Sequence, residues 1–407
     1  MVILKDILLR LSYNTCCIYI INVIYSILNI TNYKVESVSV LNSTSVLSPI
    51  YKKTSIAYNN EVLFNKTAFY SSTSNNNLNK LNLPTAIQLN TINPEDKILE
   101  YSELSELVLP PIKNYKSKLL KGKGNPNHWI LIDNKYNEQM QKRSVILKVH
   151  KKDVIGHKKI TREACKELFH YVMVYISNKY PHVFKIVIKD NSYKIHNIIT
   201  NKQFKINNIN KARTNNLLAI ISQCVLEDFS IIVKINGNYN IMASLSLFSI
   251  NWKVSERLGY DMIKLHGIAP GWQVNEIYSR AYTKVFDDIT SNILKVRSNL
   301  FVINTHELYL PNHEVKSPLS MDIGVKLGYR LKDLYLRREL QTFFRLPKSG
   351  HIVFSVRTFI EPLSTLSIND LKYLESSALK YNYEVSIYHK ADSWLPVLTK
   401  YLEDNKT

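Results

Sequence analysis

Residues 351–360, HIVFSVRTFI, alternate as a β-strand does and place an arginine, Arg357, near the middle of the strand. An arginine side chain stays charged in proteins and is rarely buried without a partner. We therefore expect a carboxylate to face Arg357, either from the protein, with Glu339 and Glu361 as candidates, or from a bound ligand. The face of the strand that carries Arg357 is otherwise mostly apolar, as a ligand-lining sheet face would be. The pattern alone favours neither partner.

The chain is long and apolar enough for a large folded domain, with 407 residues of which 45% are hydrophobic. Its formal net charge is +20, but the basic residues are scattered among acidic ones. No zinc-finger spacing or aromatic RNA-binding strand is present, so we predict no nucleic-acid partner. The four cysteines, Cys16, Cys17, Cys165 and Cys224, form no CxxC pair, and we expect buried free thiols.

The first 115 residues differ in composition from the rest. Lys5 and Arg10 precede an apolar run, residues 11–30, of about bilayer length, which predicts a single membrane anchor within residues 1–31. The alternative is an amphipathic or disordered leader, and without an anchor we expect a cytoplasmic protein. Residues 32–115 are rich in Ser, Asn and Thr, which is typical of a flexible linker.

Dense apolar patterning from Gly124 onwards predicts an α+β domain. Predicted helices cover residues 129–147, 162–180 and 215–225, a long stretch that ends near 294, and two pieces within 369–401. Predicted strands cover residues 184–189, 193–199, 230–235, 239–248, 300–304, 351–360 and 384–389. Asn236-Gly237 suits a type I′ turn between two of these strands. Helices and antiparallel strands interleave without a βαβ rhythm, which favours the α+β class.

Standard cofactor and hydrolase motifs are missing from the chain. It has no GxGxxG, P-loop, HExxH or GxSxG motif, and thus no sequence sign of its own dinucleotide site. His266 stands in LHGIAPGW, a turn stiffened by Pro270 and loosened by two glycines. Such a turn suits a haem axial ligand, because glycine lets a flat cofactor approach and neutral imidazole binds iron. The alternative is that His266 caps the helix that follows.

Two further groups are candidates for ligand contacts. Arg297 and Asn299 follow the predicted long helix in KVRSNLFVI, where a cation also has the ordinary role of complementing the helix dipole. Arg357 has the geometry to bind a carboxylate such as a haem propionate with two hydrogen bonds, or to pair within the protein. Both alternatives stay open for each group.

An ordered series of segments resembles a known family. The segments are NPNHWILIDNKY, ISNKYPHVF, LEDFSIIV, WKVSERLG, LHGIAPGW, VRSNL, RRELQTFFRLPKSGHIVFSVRTFIEPL and SWLPVLTKYL. In this order and spacing they resemble the haem-binding alpha subunit of haem-dependent oxidative N-demethylase, especially its fungal members. The resemblance covers residues 116–404.

The resemblance implies a PAS-like antiparallel sheet domain with added helices, which binds haem b through a histidine. The implied reaction uses dioxygen to remove a methyl group from a small amine, with electrons from NADPH through a separate reductase. Glu339 or Glu227 would position the ammonium group of the substrate. By position, His266 would be the metal ligand, Arg297, Asn299 and Glu339 would act in catalysis, and Gln341, Arg345 and Arg357 would bind the cofactor.

The sequence also departs from the pattern of this family. Ile268 and Ala269 replace a usual Pro-Val pair, and Trp272 replaces a common tyrosine. Leu300 stands where a tryptophan is usual, and Leu340 stands where an arginine is usual. Because these changes adjoin the implied site, the alternative function is a non-catalytic haem- or small-ligand-binding PAS-like module.

Overall fold

The computed structural model of the chain describes residues 92–95, 97–114, 122–266, 283–312 and 328–405. The predicted anchor and most of the predicted linker, with Cys16 and Cys17, lie outside these residues. No helix among those described is long and apolar enough to cross a membrane. The anchor stays a prediction.

The described helices and strands follow one another along most of the chain. The helices are α1 (Tyr101–Val108), α2 (Tyr136–Val154), α3 (Arg162–Lys179), α4 (Thr214–Ser222), α5 (Val254–Arg257), α6 (Met262–His266), α7 (Ile368–Ala378), α8 (Tyr383–His389) and α9 (Ala391–Asp404). The strands are β1 (Gly122–Lys123), β2 (Ile155–His157), β3 (Phe184–Lys189), β4 (Ser192–Asn197), β5 (Lys202–Ile206), β6 (Asp228–Ile235), β7 (Asn238–Leu245), β8 (Lys295–Ile303), β9 (Tyr335–Arg345) and β10 (Ile352–Pro362). Residues 283–287 are helical as well.

Two antiparallel sheets organise these elements. A seven-stranded sheet has the order β1-β8-β9-β10-β6-β7-β2, and a three-stranded sheet has the order β3-β4-β5. The combination of helices and antiparallel sheets confirms the predicted α+β class. The long strands β9 and β10 lie near the middle of the larger sheet and pair along their whole length.

The register of β8, β9 and β10 divides the polar residues of the large sheet between two faces. Arg297 lies opposite Gln341 and Asn299 opposite Glu339, whereas Arg357 lies opposite Leu340. Paired residues share a face and successive residues alternate between faces. We call the side that carries Arg297, Asn299, Glu339, Gln341 and Arg345 the Glu339 face, and the other side the Arg357 face.

Each face of the sheet is covered by its own apolar core. On the Arg357 face, Phe344 and Val353 join the main core, which includes the predicted apolar stripe of α3. Leu300 on the same face joins a second core with the C-terminal helices α7 and α9. On the Glu339 face, Phe343 packs with Met262 of α6 and with Phe286.

The structure confirms several local predictions. The turn between β6 and β7 has positive φ angles at Asn236 (50°) and Gly237 (84°), as a type I′ turn requires. Helix α3 follows Thr161 and ends at Lys179, close to the predicted limits. Cys165 and Cys224 are buried free thiols.

Two predicted helices are wrong over part of their length, and one predicted strand is wrong. Residues 129–135 are not helical, because the apolar run Trp129–Ile132 is buried on all sides, with no more than 2% of any of these residues exposed. Residues 288–294 are not helical either, and a strand starts at Lys295. The predicted strand 384–389 is helix α8, which the Asn382 side chain caps by accepting from the Val385 amide at 2.9 Å.

Candidate functional site

Glu339 lies at the centre of a polar row on β9. Its Oε1 atom accepts from Arg337 Nε at 3.2 Å, and its Oε2 atom accepts from Gln341 Nε2 at 2.9 Å. Strand alternation brings these side chains together, since residues two apart point the same way. Glu339 is only 7% exposed, so its carboxylate is held in one orientation.

Arg297 and Asn299 lie on β8 and face the same row, although the sequence placed them after a helix. Arg297 is half-buried, and its Nε atom is fully buried without a hydrogen-bond partner. Within the described residues, this guanidinium forms neither a hydrogen bond nor a salt bridge. An unpaired buried donor is costly, so Arg297 is the side chain of this row that most needs an anionic partner.

Arg345 adds a second positive charge near the end of the same face. Its guanidinium donates to the carbonyl oxygens of Ile289 (2.8 Å), Gly350 (2.7 Å) and Phe286 (2.9 Å). One of these bonds goes to the carbonyl of Phe286, near the end of the helical residues 283–287. The three bonds use three of the five N–H groups of an arginine and leave its charge without a carboxylate partner among the described residues.

Arg357 lies on the opposite face and is only 1% exposed. Its guanidinium forms a salt bridge with Asp133, and its Nη1 atom donates to Gln139 Oε1 at 2.9 Å. Burial lowers the pKa of Arg357, but the carboxylates of Asp133 and Glu227 raise it and leave it above its ordinary value. In the structure, the carboxylate that faces Arg357 therefore comes from the protein.

Neither carboxylate suggested by the sequence as an internal partner of Arg357 fills that place. Glu339 bonds to Arg337, and Glu361 lies 3.8 Å from Arg338. The face that carries Arg357 is packed against α1 and the segment before α2, where Tyr101 and Leu131 form an apolar cluster with Phe359. It is protein interior rather than a lining for a ligand.

Glu227 is also buried on the core side of the sheet, with 1% of its surface exposed. Its Oε1 atom accepts from the Leu131 amide at 2.9 Å, and its Oε2 atom has no hydrogen-bond partner. Burial raises the pKa of Glu227 to about 7, although the nearby charge of Arg357 lowers it. Glu227 thus lies in the core, beside Leu131, and not beside Glu339.

Glu227→Gln is expected to flatten the pH dependence of stability. The pKa of Glu227 rises from an ordinary 4.5 to about 7 on folding, so the folded protein binds this proton more tightly than the unfolded chain. Wild-type stability therefore falls by about 3 kcal/mol as the pH rises across that interval, and the variant lacks this loss. Urea unfolding near pH 5 and near pH 8 measures the difference, and equal slopes for both proteins would contradict the assignment.

His266 is the last residue of α6, and only its backbone lies within the described part of the chain. Helix α6 packs through Met262 into the apolar cluster on the Glu339 face, together with Phe343 and Ile352. The helix that ends at His266 therefore lies on the same side of the sheet as Arg297 and Glu339.

Two residues near this face were not predicted from the sequence. Helix α8 places the rings of Tyr388 and His389 at 6.1 Å and 5.4 Å from the ring of Phe301, which shares the face of Glu339. Burial lowers the pKa of His389 to about 4, so this imidazole is neutral at physiological pH. The sequence signal that would have placed them is the Asn382 cap, which starts a helix rather than a strand.

Comparison with known proteins identifies the family of the chain. Residues 121–399 match the family described as HODM_asu-like: Haem-dependent oxidative N-demethylase, alpha subunit-like. The chain belongs to this family. A search among curated proteins finds no match. The matched residues include both sheets and all of the large sheet's polar row.

The structure shows where two of the residues that depart from the family pattern lie. Leu300 and Leu340 are each 6% exposed, and both side chains lie in apolar clusters on the Arg357 face. They therefore do not alter the row around Glu339. The departures at Ile268, Ala269 and Trp272 lie outside the described residues.

Proposed function

We propose that this chain is a haem-dependent oxygenase of the oxidative N-demethylase type, which removes a methyl group from a small methylated amine. Haem b held by His266 would supply the centre at which dioxygen is activated. Electrons would come from NADPH through a separate reductase, as the family resemblance implies, and the absence of a dinucleotide-binding motif from the sequence is consistent with this. We take the seven-stranded antiparallel sheet as the PAS-like sheet that the family resemblance implies.

The observation that carries this proposal is the unpaired guanidinium of Arg297 on the Glu339 face. Its buried Nε atom has no partner, and Arg345 on the same face keeps spare N–H donors. Haem carries two propionate carboxylates, and arginine binds carboxylates through two parallel hydrogen bonds. The residues present therefore fit the charge and the hydrogen-bonding groups of haem.

Glu339 is proposed to position the ammonium group of the substrate. A carboxylate offers about four acceptor sites, and Arg337 and Gln341 occupy two of them. The remaining acceptor capacity is available to an amine, while the two bonds hold the carboxylate in place. Asn299 lies directly across the strand pair from Glu339.

Arg357 is left out of the proposed haem contacts. Its buried Nε atom also lacks a partner, but unlike Arg297 it already has a carboxylate, since its other nitrogens bond to Asp133 and Gln139 on the far side of the sheet. To reach a propionate it would have to leave a buried carboxylate without its partner, which is strongly unfavourable.

The test of haem binding is the visible absorption spectrum of the full chain after reconstitution with haem. We expect a Soret band in the wild type, and loss or displacement of that band in His266→Ala. The matched control is His182→Ala, since His182 is an exposed histidine far from the polar row in the sequence. Absence of the band in the wild type would overturn the proposed function, and an unchanged band in His266→Ala would assign the iron to another residue.

The test of catalysis is formaldehyde release from dimethylamine, driven by NADPH and a competent reductase. We expect release from the haem-loaded wild type and none without haem. Haem binding without formaldehyde release would instead support the non-catalytic binding module.

A further inference from the structure

The C-terminal helices meet both faces of the large sheet beside β8. Helices α7 and α9 pack with Leu300 on the Arg357 face, whereas α8 lays Tyr388 and His389 against Phe301 on the Glu339 face. Phe301 pairs with Arg337, one step along the strands from Asn299 and Glu339. Tyr388 therefore lies at the Arg337 end of the polar row.

The hydroxyl of Tyr388 lies within the electrostatic field of that row. The charges that act on it include the Glu339 carboxylate and the guanidinium groups of Arg297 and Arg257. Burial is the main cause that raises the pKa of Tyr388, and Glu339 raises it further, so the phenol keeps its proton at physiological pH. It is available as a hydrogen-bond donor.

This hydroxyl forms no hydrogen bond to a protein atom within the described residues, and Tyr388 is 36% exposed, so its polar end is open to a ligand. The hydroxyls of Tyr101, Tyr136, Tyr175, Tyr180 and Tyr239 all bond to protein atoms. The ring of Tyr388 contacts the rings of Phe301 and His389, whereas its hydroxyl makes no hydrogen bond within the described residues.

Helix α6 and Tyr388 approach the polar row from opposite ends. Helix α6, which ends at His266, packs near Phe343 and Ile352, whereas Tyr388 packs near Phe301. Arg297, Glu339 and Gln341 lie between these ends in the strand register. A ligand that lies along the row would therefore meet Tyr388 at the end opposite α6.

We infer that Tyr388 is a further residue of the site, where its hydroxyl donates a hydrogen bond to the small ligand bound at the haem iron. This role rests on the proposed function, because the ligand is one that haem holds. A donor at this position would also select ligands that accept a hydrogen bond, as dioxygen and small anions do.

Tyr388→Phe tests the role, because it removes the hydroxyl and keeps the ring against Phe301. The readout is the dissociation constant of fluoride for the ferric, haem-loaded full chain, measured from the visible spectrum. Fluoride at iron accepts hydrogen bonds, so loss of a donor is expected to weaken its binding about tenfold or more. Tyr383→Phe is the matched control, since Tyr383 lies on the same helix and is 65% exposed, and its fluoride affinity should equal that of the wild type.

The outcomes separate this role from the proposed function. A Soret band with unchanged fluoride affinity in Tyr388→Phe would overturn the role of Tyr388 and leave haem binding intact. A wild type without a Soret band would overturn the proposed function and the role of Tyr388 with it. A selective loss in Tyr388→Phe, with melting temperatures equal in all three proteins, would support the hydroxyl as the donor.

Discussion

Arg357→Met is expected to lower the free energy of unfolding by about 3–5 kcal/mol, because removal of one partner from a buried ion pair leaves the other charge buried and uncompensated. Here the abandoned group is the carboxylate of Asp133, which is 1% exposed. Gln139 would also lose a hydrogen bond in the interior. Urea unfolding followed by circular dichroism measures the change.

Two control variants test whether the lower free energy of unfolding comes from breaking the buried ion pair. Replacing both partners, as in Arg357→Met with Asp133→Leu, is expected to recover most of the stability. The double variant leaves no uncompensated charge in the interior. Arg330→Met removes an exposed arginine from its salt bridge with Asp333, and should cost less than about 1 kcal/mol. A loss in Arg357→Met no larger than in Arg330→Met would contradict the buried pair.

Arg297→Met is expected to raise the dissociation constant of haem about 10- to 100-fold, because a charge-assisted hydrogen bond to a carboxylate contributes about 1.5–3 kcal/mol. The stability of the haem-free protein should not fall. The guanidinium of Arg297 makes no hydrogen bond within the described residues, and its buried Nε atom is unpaired, so methionine removes a cost rather than a contact. Haem titration and urea unfolding of the haem-free protein provide the two readouts.

The matched control for this variant is Arg162→Met, since Arg162 is exposed and lies at the start of α3. Its haem affinity should equal that of the wild type. If Arg297→Met bound haem as tightly as the wild type does, or destabilised the haem-free protein by several kcal/mol, Arg297 would be a structural residue.

The two arginines differ in how far their surroundings follow from the sequence. The alternation of residues 351–360 predicted a strand and a carboxylate partner for Arg357. The partner itself lies 224 residues away in the chain, in a segment that the apolar pattern had assigned to a helix. Glu339 and Glu361 had been considered because they are close in sequence, but nothing in local patterning encodes a contact over such a distance.

On the Glu339 face, too, a long-range contact could not be predicted from the local sequence pattern. The family resemblance selected Arg297, Asn299, Glu339 and Gln341, and the strand register brings them onto one face. The pattern nevertheless continued the preceding helix to residue 294, whereas the helical residues end at 287 and their Phe286 carbonyl accepts from Arg345, far along the chain. A local feature such as the Asn236-Gly237 turn can be predicted from the sequence. A hydrogen bond from a distant side chain to a backbone carbonyl cannot.

The side of the sheet on which haem binds is tested most directly by comparing the haem affinities of two variants. We predict that Arg297→Met binds haem at least about tenfold more weakly than the wild type. The double variant Arg357→Met with Asp133→Leu should bind it with wild-type affinity. The opposite order, with binding lost in the double variant and kept in Arg297→Met, would place haem on the Arg357 face and contradict this account.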